Sequence, residues 1–311
     1  MRLVFMGTPE SAVPSLRRLL DDGHEIAAVW TQPDRPAGRG NKLHQSPVKE
    51  FAVERNLIVH QPLKIKTQEA KELFASHNAD AAIVVAYGRI LPLELLNSPR
   101  HGCINVHFSL LPKYRGAAPV NWAIVDGEKE TGVTTMKIVA ELDAGPILLQ
   151  RETEIGENET APELMARLAE IGSQLLSDTL KRLDSIEAKP QPHEQATLAP
   201  ILKRADGLID WSMDAYAIAR RVRGFQPWPN AHTSFKSQRL IIWEAAPEWI
   251  EQIQFVPGQI IEARGDRLIV ACGEGTALRV SALQTEGSRR ISARDFLNGA
   301  HIHIGEMLGQ E

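Results

Sequence analysis

Cysteine is nearly missing: Cys103 and Cys272 are the only two in 311 residues. That excludes a disulfide-stapled scaffold, and without a CxxC pair there is no zinc-ligand spacing, so a reducing cytosol is the expected setting. No apolar run approaches the roughly 20 residues needed to cross a bilayer, and MRLVFMG is too short for a signal peptide. The chain is expected to be soluble, cytoplasmic and unprocessed. Excess positive charge is also missing, since 35 Lys and Arg against 39 Asp and Glu leave a formal charge of -4. A polyanionic partner would therefore have to be met by a local surface. Internal repeats and low-complexity tracts are absent, which removes solenoids and arrays. What remains is 43% hydrophobic and 24% charged residues, the balance of a globular protein long enough for two domains.

The first half alternates short apolar runs with helical periodicity. LVFM at 3–6 feeds SAVPSLRRLL through the turn Gly7-Thr8-Pro9, and EIAAVWT, ADAAIVVAY, CINVHF and TTMKIV follow as further strands, with QEAKELFASH, APVNWAIVDG and a long helix over 163–183 between or after them. Strands this uniformly apolar are covered on both faces, which predicts an α/β fold with a Rossmann-like, mainly parallel sheet. Residues 189–209 lose all period and are rich in proline and polar side chains, so they are read as a linker between a domain at 1–188 and one at 210–311. The second domain begins with the helix MDAYAIARRVRGF and continues as short strands separated by Pro-Gly and Gly-Asp turns. That pattern predicts a small β-barrel.

GTPESA at 7–12 lacks the second and third glycines of GxGxxG, and no GK[ST] is present, which disfavours dinucleotide and P-loop sites and leaves Gly7 as a turn residue. Residues 31–49 hold Arg35, Arg39, Lys42 and Lys49 among prolines and glycines. They form either a solvated excursion or an arm that grips a phosphate-rich partner. Asn105 and His107 lie two apart on one strand and so share a face near its carboxyl end, where open α/β sheets bind ligands. The competing reading is a hydrogen-bonded, inert core histidine. Asp143 follows a later strand in a turn ended by Gly145-Pro146, from which a carboxylate can reach back towards His107. His301 and His303 alternate on an expected strand but have no third ligand nearby, and no metal site is expected. RRVRGFQPWPNA at 220–231 either meets a nucleic-acid backbone with aromatic support or packs as an amphipathic helix end.

FMGTP, TQPDRPAGRG, VVAYGRILP, CINVHFSLLPKYRGAAP, TGVT, LDAGPIL, IDWS and GFQPWP occur in the order, and over nearly the whole length, that resembles the methionyl-tRNA formyltransferase family. The NxH, SLLP, RGAAP and LDAG core is similar to the wider superfamily that uses 10-formyltetrahydrofolate, including enzymes acting on sugar nucleotides. The resemblance implies a formyltransferase fold followed by an OB-like tRNA-binding barrel, and formyl transfer from 10-formyltetrahydrofolate, without a metal, to the amino group of initiator Met-tRNA by a monomer. It implies that Asn105, His107 and Asp143 are catalytic. It also implies that Ser109, Leu110, Leu111 and Pro112, with Tyr87, Ile90 and Leu91, line the folate site, and that Arg35, Arg39 and Lys42 engage the tRNA acceptor end.

Acyl transfer to an amine passes through a tetrahedral intermediate. Such a site needs an oxyanion donor, a role expected of Asn105, which cannot titrate, and of His107 when protonated; a neutral His107 can instead pass protons, with Asp143 expected to assist the proton transfer. Phe108 stands where this family is expected to carry a small residue, so either a narrower folate pocket or a shifted strand end is expected. Two other readings stay open: the same chemistry on a small amine such as a sugar nucleotide, and an RNA-binding protein whose polar trio is structural.

Overall fold

The computed structural model describes residues 1–37, 42–251, 255–300 and 302–309. The chain divides into two units, the first made of Met1–Pro119, Glu130–Glu154 and Met165–Ala199, the second of Val120–Lys129, Ile155–Leu164 and Pro200–Glu311.

The first unit contains strands β1 (Arg2–Gly7), β2 (Glu25–Trp30), β3 (Arg35–Ala37), β4 (Lys42–His44), β5 (Val59–His60), β6 (Ala81–Val85), β7 (Cys103–His107), β8 (Arg115–Gly116), β9 (Glu130–Lys137), β10 (Ile147–Glu154) and β11 (Leu198–Ala199). Its helices are α1 (Val13–Asp21), α2 (Pro47–Glu54), α3 (Gln68–Ser76) and α4 (Leu93–Leu96), while α5 (Pro119–Asp126) and α6 (Ala161–Lys181) each draw residues from both units. Seven strands form one sheet in the order β10-β9-β7-β6-β1-β2-β5. Neighbours from β7 to β5 run parallel, and β9 and β10 run antiparallel at the other edge. Every residue of β6 is buried, as a central parallel strand covered on both faces requires. Local chemistry starts the helices: the Ser46 hydroxyl accepts from Lys49 N–H ahead of Pro47, and the Thr67 hydroxyl accepts from Ala70 N–H.

In the second unit, β12 (His232–Phe235), β13 (Gln238–Glu248), β14 (Ile260–Arg264), β15 (Arg267–Ala271), β16 (Ala277–Thr285) and β17 (Ile291–Ser292) form a six-stranded antiparallel sheet ordered β12-β13-β16-β15-β14, with β17 beside β16. Helices α7 (Ala215–Gly224) and α8 (Ala293–Ala300) complete it. Trp211, Ile218, Val222, Leu240, Leu268, Val280 and Phe296 belong to its core.

Four features depart from the sequence reading. The edge strand β10 escaped it because only one face is covered and polar residues alternate along ILLQRETE. Residues 302–304, expected as a strand with His303, form none, and His301 lies outside the described residues. The basic stretch after β2 is entered and left by a hairpin, Arg35 opposite His44 and Ala37 opposite Lys42; Arg39 lies outside the described residues. The stretch expected as a linker at 189–209 is fastened to the first unit over its first half. Lys189 bridges to Ile147, Gln191 is buried, and β11 runs parallel to β8. Their polar backbone groups find partners there rather than water, which is why no apolar period marks them.

Candidate active site

Strand β7 sets the site's axis. Asn105 and His107 project from one face of the sheet, and Val106 and Phe108 from the other. On that opposite side Gly172 of α6 lets the two apolar side chains approach, since a Cβ there would lie 3.0 Å from Val106 Cγ1 and 3.5 Å from Phe108 Cε1. Phe108 thus lies on the side of the strand away from Asn105 and His107. Asn105 is half-buried, and its side chain has no hydrogen-bond partner among the described residues.

The imidazole of His107 is 6% exposed. Its Nε2 lies 2.9 Å from the carbonyl oxygen of Tyr114. A carbonyl only accepts, so Nε2 carries the hydrogen and the proton-exchanging nitrogen is Nδ1. Nδ1 faces Asp143 Oδ2 at 3.8 Å, too long for a direct hydrogen bond and within reach of an ion pair once the ring is protonated. The same Oδ2 accepts from the Gly116 N–H at 2.9 Å.

Asp143 itself occupies the left-handed region, φ 49°, which a short polar side chain tolerates better than most. Two residues on, Gly145 passes so close to β9 that a Cβ would sit 1.7 Å from the Lys137 carbonyl oxygen. Only glycine lets the turn close there. On the other side, residues 112–118 are strapped down by 197–199. Tyr114 N–H donates to the Thr197 hydroxyl, Arg115 N–H to the Thr197 carbonyl, and Ala117 N–H to the Ala199 carbonyl, at 2.8, 2.9 and 2.9 Å.

The residues expected around folate fall into two groups. Ser109 and Leu111 are buried, and the Ser109 hydroxyl is turned inward onto the Lys113 carbonyl. Their segment is held by Thr134, whose hydroxyl donates to the Ser109 carbonyl and accepts from Leu111 N–H and from Gln150 Nε2. Leu110 is half-buried, and Pro112 offers its carbonyl to Thr197 N–H. After β6, Tyr87 and Leu91 are packed in the core and Ile90 is 72% exposed. Arg35 is exposed at the base of the hairpin.

In the second unit, the arginines of RRVRG are turned onto backbone carbonyls. Arg220 Nε donates to Val125, Arg221 Nη1 to Asp206 and Arg223 Nη1 to Glu159, at 3.2, 3.2 and 2.9 Å. Phe225 is buried, while Trp228 is half exposed.

Sequence reasoning missed Thr134, Gln150, Arg115 and Gln191. Arg115 and Gln191 are buried polar side chains that meet each other, Arg115 Nε and Nη2 both donating to Gln191 Oε1. Arg115 stood inside the RGAAP motif without a role, and nothing in PQPHEQ marks Gln191.

A formyl transferase family model matches residues 1–180, and a formyl transferase C-terminal domain model matches residues 201–301. Methionyl-tRNA formyltransferase of Acetivibrio thermocellus is 47% identical over 100% of both chains, and that of Solibacter usitatus is 50% identical over 100% of this chain and 99% of its own. Among solved structures, HypX from Aquifex aeolicus in complex with tetrahydrofolic acid superimposes with a TM-score of 0.65 at 17% identity, covering 96% of this chain and 48% of that one, a likeness of fold alone. Identity at this level, over the full length and both domain models, means that the chain belongs to the methionyl-tRNA formyltransferase family and is a formyl-transferring enzyme.

Proposed function

We propose that this enzyme moves the formyl group of 10-formyltetrahydrofolate onto the free amino group of methionyl initiator tRNA, using Asn105, His107 and Asp143. The names of its relatives support the acceptor, and the tetrahydrofolic acid bound by a structural neighbour supports the donor class. The residues present fit a carbonyl-bearing co-substrate, because the half-buried Asn105 amide has no partner within the chain among the described residues. When bound, 10-formyltetrahydrofolate supplies the electrophilic formyl carbon.

The observation that carries this reading is the orientation of His107. With Nε2–H committed to Tyr114, the Nδ1 lone pair faces the side of Asp143 and is free to take a proton. As the amine nitrogen bonds to the formyl carbon, the carbonyl oxygen gains charge, and Asn105 Nδ2–H donates to it. The proton lost by the attacking nitrogen passes to His107 Nδ1, directly or through a water, and the Asp143 carboxylate pairs with the imidazolium that results. His107 then returns the proton to the departing nitrogen. Ser109 to Pro112, with Tyr87, Ile90 and Leu91, are the proposed folate wall, although the buried side chains among them leave mainly backbone atoms to make polar contacts. Arg35, Arg39 and Lys42 are the proposed phosphate contacts, and the second unit the proposed seat of the acceptor stem.

The test is turnover with Met-tRNA and 10-formyltetrahydrofolate, comparing wild type with His107→Ala and Asn105→Ala. Loss of an oxyanion donor costs on the order of 10² to 10³ in kcat, and both variants should unfold as cooperatively as wild type. Unchanged formylation by either would remove that residue from the mechanism. Preference for the amine of a sugar nucleotide over Met-tRNA would overturn the acceptor.

A further inference from the structure

We propose that Gln191 is a positioning residue for the transfer, setting the distance between His107 and Asp143 by bridging the two loops that hold them. The inference rests on the catalytic reading of Asp143 given above.

Gln191 is 4% exposed, and its amide is fully used. Oε1 accepts from Arg115 Nε at 3.0 Å and Nη2 at 2.8 Å, while Nε2 donates to the carbonyls of Asp143 and Gly145, both at 2.8 Å. Two acceptor sites and two hydrogens are all that a primary amide offers. What they reach matters more than their number. Arg115 sits between the two residues that touch the site, since Tyr114 gives its carbonyl to His107 Nε2 and Gly116 gives its N–H to Asp143 Oδ2. Holding the guanidinium therefore fixes the backbone that carries the anchors of both groups. The other end of the amide holds Asp143, which is itself in the left-handed region, and Gly145 from behind. One side chain thus ties the imidazole's anchor, the carboxylate's anchor and the carboxylate's own backbone into one frame. A gap of 3.8 Å between Nδ1 and Oδ2 has no direct hydrogen bond to enforce it, so it must be set by such a frame.

Glutamine is required by its donors. A carboxylate at 191 would still accept from Arg115 but would oppose the Asp143 and Gly145 carbonyls, pushing the turn away from Gly116.

The experiment compares Gln191→Glu and Gln191→Met with wild type, each alone and combined with Asp143→Asn. Readouts are kcat, the KM values for Met-tRNA and 10-formyltetrahydrofolate, and the unfolding midpoint. Expected is a loss of about 10- to 100-fold in kcat, the range seen when groups orienting a reactive centre are removed, with both KM values within about twofold of wild type by the same reasoning. In the Asp143→Asn background the substitutions at 191 should cost nothing further, because the residue acts through the carboxylate. A full additional loss in that background overturns the proposal, as does a parallel fall of kcat, KM and stability, or failure of both single variants to fold. If Asp143→Asn alone turns over normally, the catalytic reading fails. If Asp143→Asn is crippled while both Gln191 variants are normal, only the positioning role fails.

Discussion

Tyr87 is 1% exposed, and its hydroxyl finds no hydrogen-bond partner among the described residues. Burial pushes its pKa up to about 12, so the group is a neutral donor without an acceptor, packed among Val84, Leu91 and Leu95. An unmet buried hydroxyl costs about 1–3 kcal/mol. Tyr87→Phe is therefore expected to stabilise the fold by about 1 kcal/mol, read as a higher midpoint in urea, with KM for the folate donor unchanged. A raised KM would mean that the hydroxyl meets the co-substrate. Asn105 differs although it too has no partner among the described residues: its amide is only half-buried, on the face that carries His107.

At the scale of elements, the turn after β9 is the most constrained piece. Gly145→Ala would place a methyl 1.7 Å from the Lys137 carbonyl oxygen, so the turn must shift and Asp143 with it. On the role proposed for Asp143, the expected result is a kcat lowered by about 10² with little change in KM, since misplacing a reacting group by an ångström costs about that much. Near-normal turnover would show that the turn relaxes without moving the carboxylate. This turn also marks where the sequence stops being readable. The strands β1 and β6 could be read directly because burial on both faces leaves unbroken apolar runs such as LVFM and AAIVV. The meeting of His107 and Asp143 could be suspected from a strand end and a Gly-Pro turn, but its geometry depends on Tyr114 and Gly116, whose placement comes from long-range backbone bonds to Thr197 and Ala199. Hydrogen bonds of that kind leave no periodic trace, and so Gln191 was indistinguishable from its polar neighbours.

Over the whole molecule, burial holds His24, His60, His77 and His232 below the usual histidine value of 6.5. The effect is concrete at His77: Trp30 Nε1–H donates to its Nε2 at 3.4 Å, an acceptor role that the protonated ring cannot fill. A depressed folded-state pKa means that the unfolded chain binds more protons between the two values, so stability is fully present above pH 6.5 and falls as the pH drops through that point towards the folded values. Melting temperature should therefore decline from neutral pH to about pH 5, ahead of the carboxylate-driven loss expected nearer pH 4. His77→Gln keeps an acceptor without a titration, and its decline should be shallower. The same slope in wild type and variant would acquit His77.

The strap at residues 197–199 bears on biosynthesis. A nascent chain that has left the ribosome only as far as residue 188 has every strand of the large sheet and the imidazole itself, yet lacks β11 and Gln191, and with them the bonds that Thr197, Ala199 and Gln191 make to residues 114–117. On the roles proposed for His107 and Asp143, competence for transfer is acquired after the sheet is complete, when a segment that looks like a tether is drawn across it.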